Sequence, residues 1–316
     1  MVGTVLTIVV GFIVAAVAGL WLFGERGQPM RRSTWRLIRE GGWRSVFNGD
    51  FWHAYVYARW TNQYIGWSVN KRFPKLGPPV EGRHLWADAY HGKVVPQTLA
   101  RALVTVQEDI PLRDLEQIVP YDMARNLVLQ GPPDVVAYEC GCRAAREHPC
   151  EPTQVCMVVG QPFADFVLDH NPRSSRRLTQ AEALTLLREE YERGHIHVAY
   201  FKDVMLDRFY AICNCCGCCC VGLQAMRDHG VPMVATSGYV AQVDTSRCEA
   251  CETCAKACPF DAITVGQNAN AHATVDWEAC MGCGVCEGQC PNGAMALVLD
   301  PRKGTPLDVR ALPSWC

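Results

Sequence analysis

Two cysteine runs of one spacing, each closed by a proline, leave the C-terminal part of this chain little choice of structure. Cys248, Cys251, Cys254 and Cys258 stand as Cys-x2-Cys-x2-Cys-x3-Cys ahead of Pro259, and 32 residues later Cys280, Cys283, Cys286 and Cys290 repeat the run ahead of Pro291. Thiolates three apart line one turn-rich loop and hold three corners of an iron–sulfur cubane, while the fourth cysteine reaches across. Zinc ribbons use two separated Cys-x2-Cys knuckles instead, and a cubane-spaced run is not a secreted disulfide pattern. The duplication extends past the cysteines: Val243-Asp244 recurs as Val275-Asp276, and Ala262-Ile263 as Ala294-Met295. A duplicated unit with a pseudo-twofold axis brings its two clusters close enough for electrons to pass between them.

The runs resemble those of bacterial two-cluster ferredoxins, in which the fourth cysteine of each run ligates the other cluster. The resemblance implies a cluster I on Cys248, Cys251, Cys254 and Cys290 and a cluster II on Cys280, Cys283, Cys286 and Cys258. Pro259 and Pro291 stop the chain from continuing as a helix and turn it toward the next strand.

This unit needs only residues 243–300 of a 316-residue chain, so most of the protein is something else. The expected division is an anchor at 1–24, a basic aromatic-rich juxtamembrane segment and linker at 25–79, a cysteine-rich middle domain at 80–242, the ferredoxin unit at 243–300 and a tail at 301–316. Charge is unevenly shared among these. The ferredoxin unit carries eight carboxylates against Arg247 and Lys256, whereas basic residues outnumber acidic ones twelve to five between Gly24 and Ala100. An acidic end suits docking to a basic patch on a redox partner protein, and it also describes an ordinary solvated surface. Nothing in the chain suggests a nucleic-acid partner.

Met1 to Gly24 carries no charged side chain. Val2 to Phe23 would make a helix about 33 Å long, enough for a ~30 Å hydrocarbon core, and is read as one transmembrane helix. A cleaved signal peptide competes through Ala16-Val17-Ala18, but no basic segment precedes the apolar stretch. Arg26, Arg31, Arg32, Arg36 and Arg39 follow directly. The expectation is therefore a single-pass protein of the inner (cytoplasmic) membrane with its domains on the cytoplasmic side, where reduced thiols also belong. Trp52, Trp60, Tyr64 and Trp67 recur at roughly helical spacing among arginines. They fit either a helix at headgroup level, with a quinone site conceivable, or packing on the next domain.

After the proline-rich link Pro74 to Pro79, helical periodicity is expected at Leu112 to Val119 and Tyr121 to Leu129. Val135 to Tyr138 reads as a strand delivering Cys140. A helix should start at the capping box Thr179-x-x-Glu182 and stop at Gly194, with strands at His195 to Phe201 and Phe209 to Cys213. Two cysteine groups sit at the ends of these elements: Cys140, Cys142, Cys150 and Cys156, then Cys213, Cys215, Cys216, Cys218, Cys219 and Cys220. So many thiols would be exposed to oxidation unless something bound them. One site takes about four thiolates, so they imply two metal centres, or one centre plus redox-active thiols. A third [4Fe–4S] cluster, structural zinc and a thiol–disulfide pair all remain open, with the ligand subset undefined. Arg143 is expected beside the first group; His195 and His197 are read as satisfied core histidines. No catalytic residue is assigned.

Through Tyr90-His91-Gly92-Lys93, Cys140-Gly141-Cys142-Arg143, Gly194-His195-Ile196-His197 and Cys213 to Cys220, the chain resembles, over about Trp86 to Pro291, a family of bacterial iron–sulfur proteins. In that family a Cys-x-Cys-Arg segment and a Cys-Asn-Cys-Cys-x-Cys-Cys-Cys segment precede a two-cluster ferredoxin domain. The resemblance implies a 4Fe-4S dicluster protein and supplies no substrate; the pattern of elements is read as α+β, with an N-terminal transmembrane helix, a mixed α/β middle domain and a C-terminal ferredoxin-like domain. The expected function is a membrane-anchored electron-transfer protein relaying single electrons through two [4Fe–4S] clusters and a further cysteine-ligated centre, as a carrier or oxidoreductase subunit. The alternative is a reductase whose Cys213 to Cys220 segment is a catalytic cluster or thiol site fed by the ferredoxin unit. No nucleotide loop or flavin motif accompanies it.

Overall fold

The computed structural model describes residues 2–311 apart from 26–29, 73–83, 114, 116, 122, 124–125 and 267–270. The expected link at Pro74 to Pro79 and the terminal Cys316 lie outside the described residues. The chain opens with helix α1 (Val2–Gly24). Here the expected transmembrane anchor is corrected: among the described residues no helix is long and apolar enough to cross a membrane. The expected single-pass inner-membrane location, which rested on that anchor, falls with it.

Glu25 follows α1 and is buried. Its carboxylate accepts hydrogen bonds from the Arg31 amide at 2.6 Å, Tyr55 Oη at 2.8 Å and Thr34 Oγ1 at 3.0 Å. It thereby ties α1 to the next two helices, α2 (Arg32–Asn48) and α3 (Asp50–Arg59), which α4 (Thr61–Trp67) follows. Gly49, at φ +93°, ends α2 and starts α3 in a left-handed conformation that a side chain would disfavour. These helices are the basic, aromatic segment, and they pack on the following domain. Tyr55 meets Phe166 and His170 edge-on, both with ring centroids 5.6 Å apart. Trp52, Trp60 and Trp67 remain exposed.

The middle domain begins with α5 (Leu85–Ala89), β1 (Tyr90–Val95) and α6 (Gln97–Thr105). Two helices were expected next, but β2 (Ile110–Leu112) and β3 (Leu127–Leu129) form an antiparallel hairpin with Leu112 opposite Leu127. Leu127 and Leu129 are buried with Val128 between them partly exposed, a period of two that the apolar spacing does not reveal when read at 3.6. There follow β4 (Val135–Tyr138), the short α7 (Gly141–Ala144), β5 (Cys156–Val159), α8 (Phe163–His170) and β6 (Ser175–Leu178). The Thr179–Glu182 capping box does open α9 (Gln180–Glu192), and Gly194 follows its end at φ +80°. The domain closes with β7 (Ile196–Lys202), β8 (Arg208–Cys215), α10 (Val221–His229) and β9 (Val234–Ala235).

Seven of these strands form one sheet in the order β6-β4-β5-β8-β7-β1-β9. All neighbours are antiparallel except β1 and β9. The central β5, β8 and β7 are buried almost throughout, which explains their near-continuous apolar sequence. The sheet thus delivers the ends of β4, β5 and β8 to one region, and these ends carry the cysteines.

The C-terminal unit is built from β10 (Tyr239–Val243), α11 (Thr253–Ala257), β11 (Ile263–Val265), β12 (Ala273–Val275), α12 (Val285–Gln289) and β13 (Met295–Leu299). β10 pairs with β13, and β11 with β12. Each pair takes one strand from each repeat, as a pseudo-twofold duplication requires.

Candidate iron–sulfur centres

In the C-terminal unit the eight cysteines divide between two cavities. One is lined by Cys248, Cys251, Cys254 and Cys290, the other by Cys258, Cys280, Cys283 and Cys286. Each cavity therefore receives three thiols from its own loop and the fourth from the opposite repeat. Backbone amides donate to the sulfurs in matched pairs. Ala262 N–H reaches Cys258 Sγ at 3.4 Å and Ala294 N–H reaches Cys290 Sγ at 3.2 Å; Ala241 N–H reaches Cys280 Sγ at 3.5 Å and Ala273 N–H reaches Cys248 Sγ at 3.4 Å. Each bond maps onto its twin by the 32-residue repeat. Amide donors to thiolate sulfur are one of the means by which a protein sets a cluster's potential, so the donor set fits a cubane in each cavity.

The two cavities are alike in sequence and unlike in surroundings. Cys251 is exposed and Cys248 partly so, while Cys280, Cys283 and Cys286 are buried. Met281 and Val285, beside the second cavity, belong to the core of the middle domain. Tyr191 Oη, from α9 of the middle domain, donates to the Gly284 carbonyl at 2.9 Å. Burial pushes the Cys283 thiol up to about 12; a metal core that shares the thiolate charge removes that penalty.

The ten middle-domain cysteines separate into two sets. Cys150, Cys216, Cys218 and Cys219 bring their sulfurs within 4.8 Å of one another, with Cys150 and Cys218 2.8 Å apart. Cys216 and Cys219 are buried and Cys218 is exposed, and Arg146 holds the loop by donating to the Cys219 carbonyl at 3.0 Å. The remaining six form a closed circuit of neighbouring thiols: Cys140, Cys142, Cys220, Cys215, Cys213, Cys156 and back to Cys140.

Local structure accounts for that circuit. Cys213 and Cys215 alternate along β8 and so share one face of the sheet, while Asn214 faces the other side, where it bonds His197 at 2.6 Å. Cys156 starts β5, whose Met157 pairs with Ile212, so the same register sets Cys156 beside Cys213. Cys140 and Cys220 are the N-cap residues of α7 and α10. Hydrogen bonds from neighbours, Cys142 foremost, hold both thiols well below the usual range.

Arg143 lies fully buried between the two sets. It pairs with Glu190 at 2.9 Å and donates to the Asn214 carbonyl at 3.1 Å and to the Pro152 carbonyl. Its charge faces both Cys140 and Cys216, which places it beside the first cysteine group as its sequence position suggested. His195 meets Glu190 at 2.7 Å, and His197 is kept neutral, its pKa lowered to about 4 by burial. Both behave as core histidines.

Sequence reasoning missed the aromatic wall opposite the six thiols. Tyr57, Tyr64, Tyr90 and Tyr200 line the same cavity, of about 210 Å³. Tyr90 stacks on Tyr200 at 4.8 Å, Tyr57 and Tyr210 share a 2.6 Å hydrogen bond, and Lys202 Nζ lies 5.2 Å over the Tyr57 ring. The available signal was Tyr200 and Lys202 alternating on β7, next to the cysteine-bearing β8.

Residues 241–264 and 273–296 each match the 4Fe-4S binding domain family. Among curated proteins nothing matches the chain. The C-terminal unit is thus a ferredoxin-type domain with two [4Fe–4S] clusters, and its role is iron–sulfur electron transfer.

Proposed function

We propose that the protein is an electron relay with an inner and an outer end. Cys248, Cys251, Cys254 and Cys290 would hold cluster I, and Cys258, Cys280, Cys283 and Cys286 cluster II. The observation that carries the assignment is the sorting of the eight thiols into two cavities, each completed by a cysteine from the other repeat. Bound there, the clusters supply one-electron transfer. Cys150, Cys216, Cys218 and Cys219 would hold a further centre, for which four mutually close sulfurs are the support. Iron is favoured over zinc because the loop between Cys216 and Cys218 touches Pro259, next to a cluster II cysteine. A redox centre there serves a relay, and a structural zinc does not.

The exposed Cys251, flanked by Glu249 and Glu252, forms the outer end. Its acidic surroundings suit a basic redox partner protein. The test is iron, zinc and acid-labile sulfide analysis of anaerobically purified protein with EPR of the dithionite-reduced state. About twelve or more iron atoms per chain support the further centre, and about eight with no more confine iron to the ferredoxin unit.

One observation favours the reductase reading: the tyrosine-lined cavity beside the upstream thiols. Substrate-dependent oxidation of the reduced protein with no partner present would select it.

A further inference from the structure

Six cysteines surround the cavity between the sheet and the helices α4, α7 and α10, separate from the four-thiol set. Cys140, Cys142, Cys156, Cys213, Cys215 and Cys220 all line it, and each has two of the others as near neighbours, so that the circuit has no end. Four of the six are buried outright, and Cys142 and Cys213 are partly so. Free cysteines do serve as small apolar core residues, but core residues close the space around them. Protein interiors keep few voids larger than a water molecule. Here seven sulfurs, those six and Cys216, border a cavity of about 210 Å³.

The ferredoxin unit supplies an internal scale. Its two cavities, each bordered by four thiols, measure about 10 and 20 Å³. The upstream cavity is roughly ten to twenty times larger and has three more sulfurs, Cys216 among them. One mononuclear ion takes about four thiolates, and a cubane likewise takes four, so neither uses the whole circuit. Positive charge is at hand on both sides: Arg143 sits below Cys140, and Lys202 is buried at the tyrosine wall. Both offset the charge of an anionic, thiolate-rich core.

Two glycines keep the site open. A Cβ on Gly222 would come within 2.6 Å of Tyr200 Oη, and one on Gly141 within 2.6 Å of Ile65 Cδ1. Tyr200 and Ile65 therefore approach the cysteine-bearing turns only because these positions lack side chains. Tyr200 Oη in turn lies 4.0 Å from Cys220 Sγ.

We propose that the six thiolates of Cys140, Cys142, Cys156, Cys213, Cys215 and Cys220 together hold one polynuclear iron–sulfur cluster larger than a cubane. Its ligands are distinct from the four-thiol set, so the assignment does not depend on what that set binds. Cys216 alone borders both, reaching the cavity from the four-thiol side.

The test compares full-length, anaerobically isolated protein enriched in iron-57 with its Cys142→Ser, Cys215→Ser and Cys218→Ser variants. Iron and sulfide are counted per chain and Mössbauer spectra recorded. The EPR signal of the ferredoxin clusters serves as the check that each variant is folded. Loss of more than about four iron atoms in both Cys142→Ser and Cys215→Ser, with that signal intact and with a separate loss in Cys218→Ser, supports the larger cluster. Loss of about four or fewer from the two ring variants means a cubane on part of the circuit and overturns it, as does loss of zinc or no change in metal. If neither ring variant folds, the unsubstituted protein decides. A Mössbauer component outside the cubane set that accounts for more than about four iron atoms supports the proposal, and its absence overturns it.

Discussion

Gly217 stands directly against Pro259: a Cβ built on the glycine would lie 3.5 Å from the proline Cβ. The glycine separates Cys216 from Cys218, and the proline follows Cys258, so the contact joins the upstream thiol loop to a cysteine of the second ferredoxin cavity. The spacing is ordinary van der Waals contact, and a larger side chain must push the two loops apart. In Gly217→Phe, electron transfer between the proposed upstream centre and the ferredoxin clusters should slow several-fold, followed by rapid-mixing absorption, while iron content stays the same. An unchanged rate would mean that electrons enter the ferredoxin unit elsewhere.

Cys254 borders only the first cavity. Replacing it with alanine should remove about four iron atoms and the cluster I signal while most of the cluster II signal persists. Unaltered EPR spectra would refute the ligand assignment.

The two 4Fe-4S repeats of the C-terminal unit were legible because ligand spacing is local: a three-residue step and a 32-residue repeat survive any packing arrangement. The split of the upstream cysteines was not legible, since it depends on three unrelated local structures. Strand alternation points Cys213 and Cys215 to one side, a tight turn turns Cys216, Cys218 and Cys219 toward Cys150, and a helix start returns Cys220 to the first set. Val135 to Tyr138 and the Thr179 helix were found because alternation and capping are strong short-range signals. Leu112 and Leu127 to Leu129 were misassigned because three-residue strands carry too little period to compete with a helical reading. The N-terminal apolar run shows the opposite limit. Its hydropathy suggested a membrane span, whereas the fixed point of that region is Glu25, a charge whose hydrogen bonds hold it in the folded body.

Glu25 makes the packing of α2 and α3 pH-dependent. Burial alone would raise its pKa, but hydrogen bonds from Arg31, Tyr55 and Thr34 outweigh that and hold it below the usual carboxylate value. A carboxylate with a depressed folded pKa contributes stability that is complete above its unfolded value of about 4.3 and lost as pH falls through the folded one. Amide exchange in α2 and α3, corrected for intrinsic rates, should therefore stay slow near neutrality and accelerate below about pH 4. In Glu25→Gln it should already be faster at neutral pH, by a loss of about 1–3 kcal/mol, and the acid dependence should flatten. Matching profiles in the two proteins would exclude the carboxylate as the cause.

Arg143 and Glu190 form an ion pair with side chains 1% and 0% exposed. Removing one member of such a pair strands the other without water, a cost of about 3–5 kcal/mol. Arg193, at 2.7 Å, and His195 still contact Glu190, so Arg143→Met should sit at the low end of that range in urea unfolding. A loss below about 1 kcal/mol would show that these neighbours carry the pair.

Gly222→Ala should displace the Tyr200 ring and disturb its stack on Tyr90, costing about 1–3 kcal/mol by overpacking. Because the nearest atom is the phenolic oxygen, Tyr200→Phe should recover much of the loss in a double-mutant cycle. Additive losses would place the strain outside this contact.

The pseudo-twofold repeat is symmetric in chemistry and asymmetric in wear. Oxygen and chelators reach a metal through solvent, and only the first cavity offers a solvent-facing thiol, Cys251, while the second is walled by the middle domain. Of the two ferredoxin clusters, one held in the first cavity is therefore the part that ages first. On brief exposure to air the ferredoxin unit should lose its contact with the outside before its inner cluster, failing at the terminal it presents to partners and sparing the one it keeps to itself.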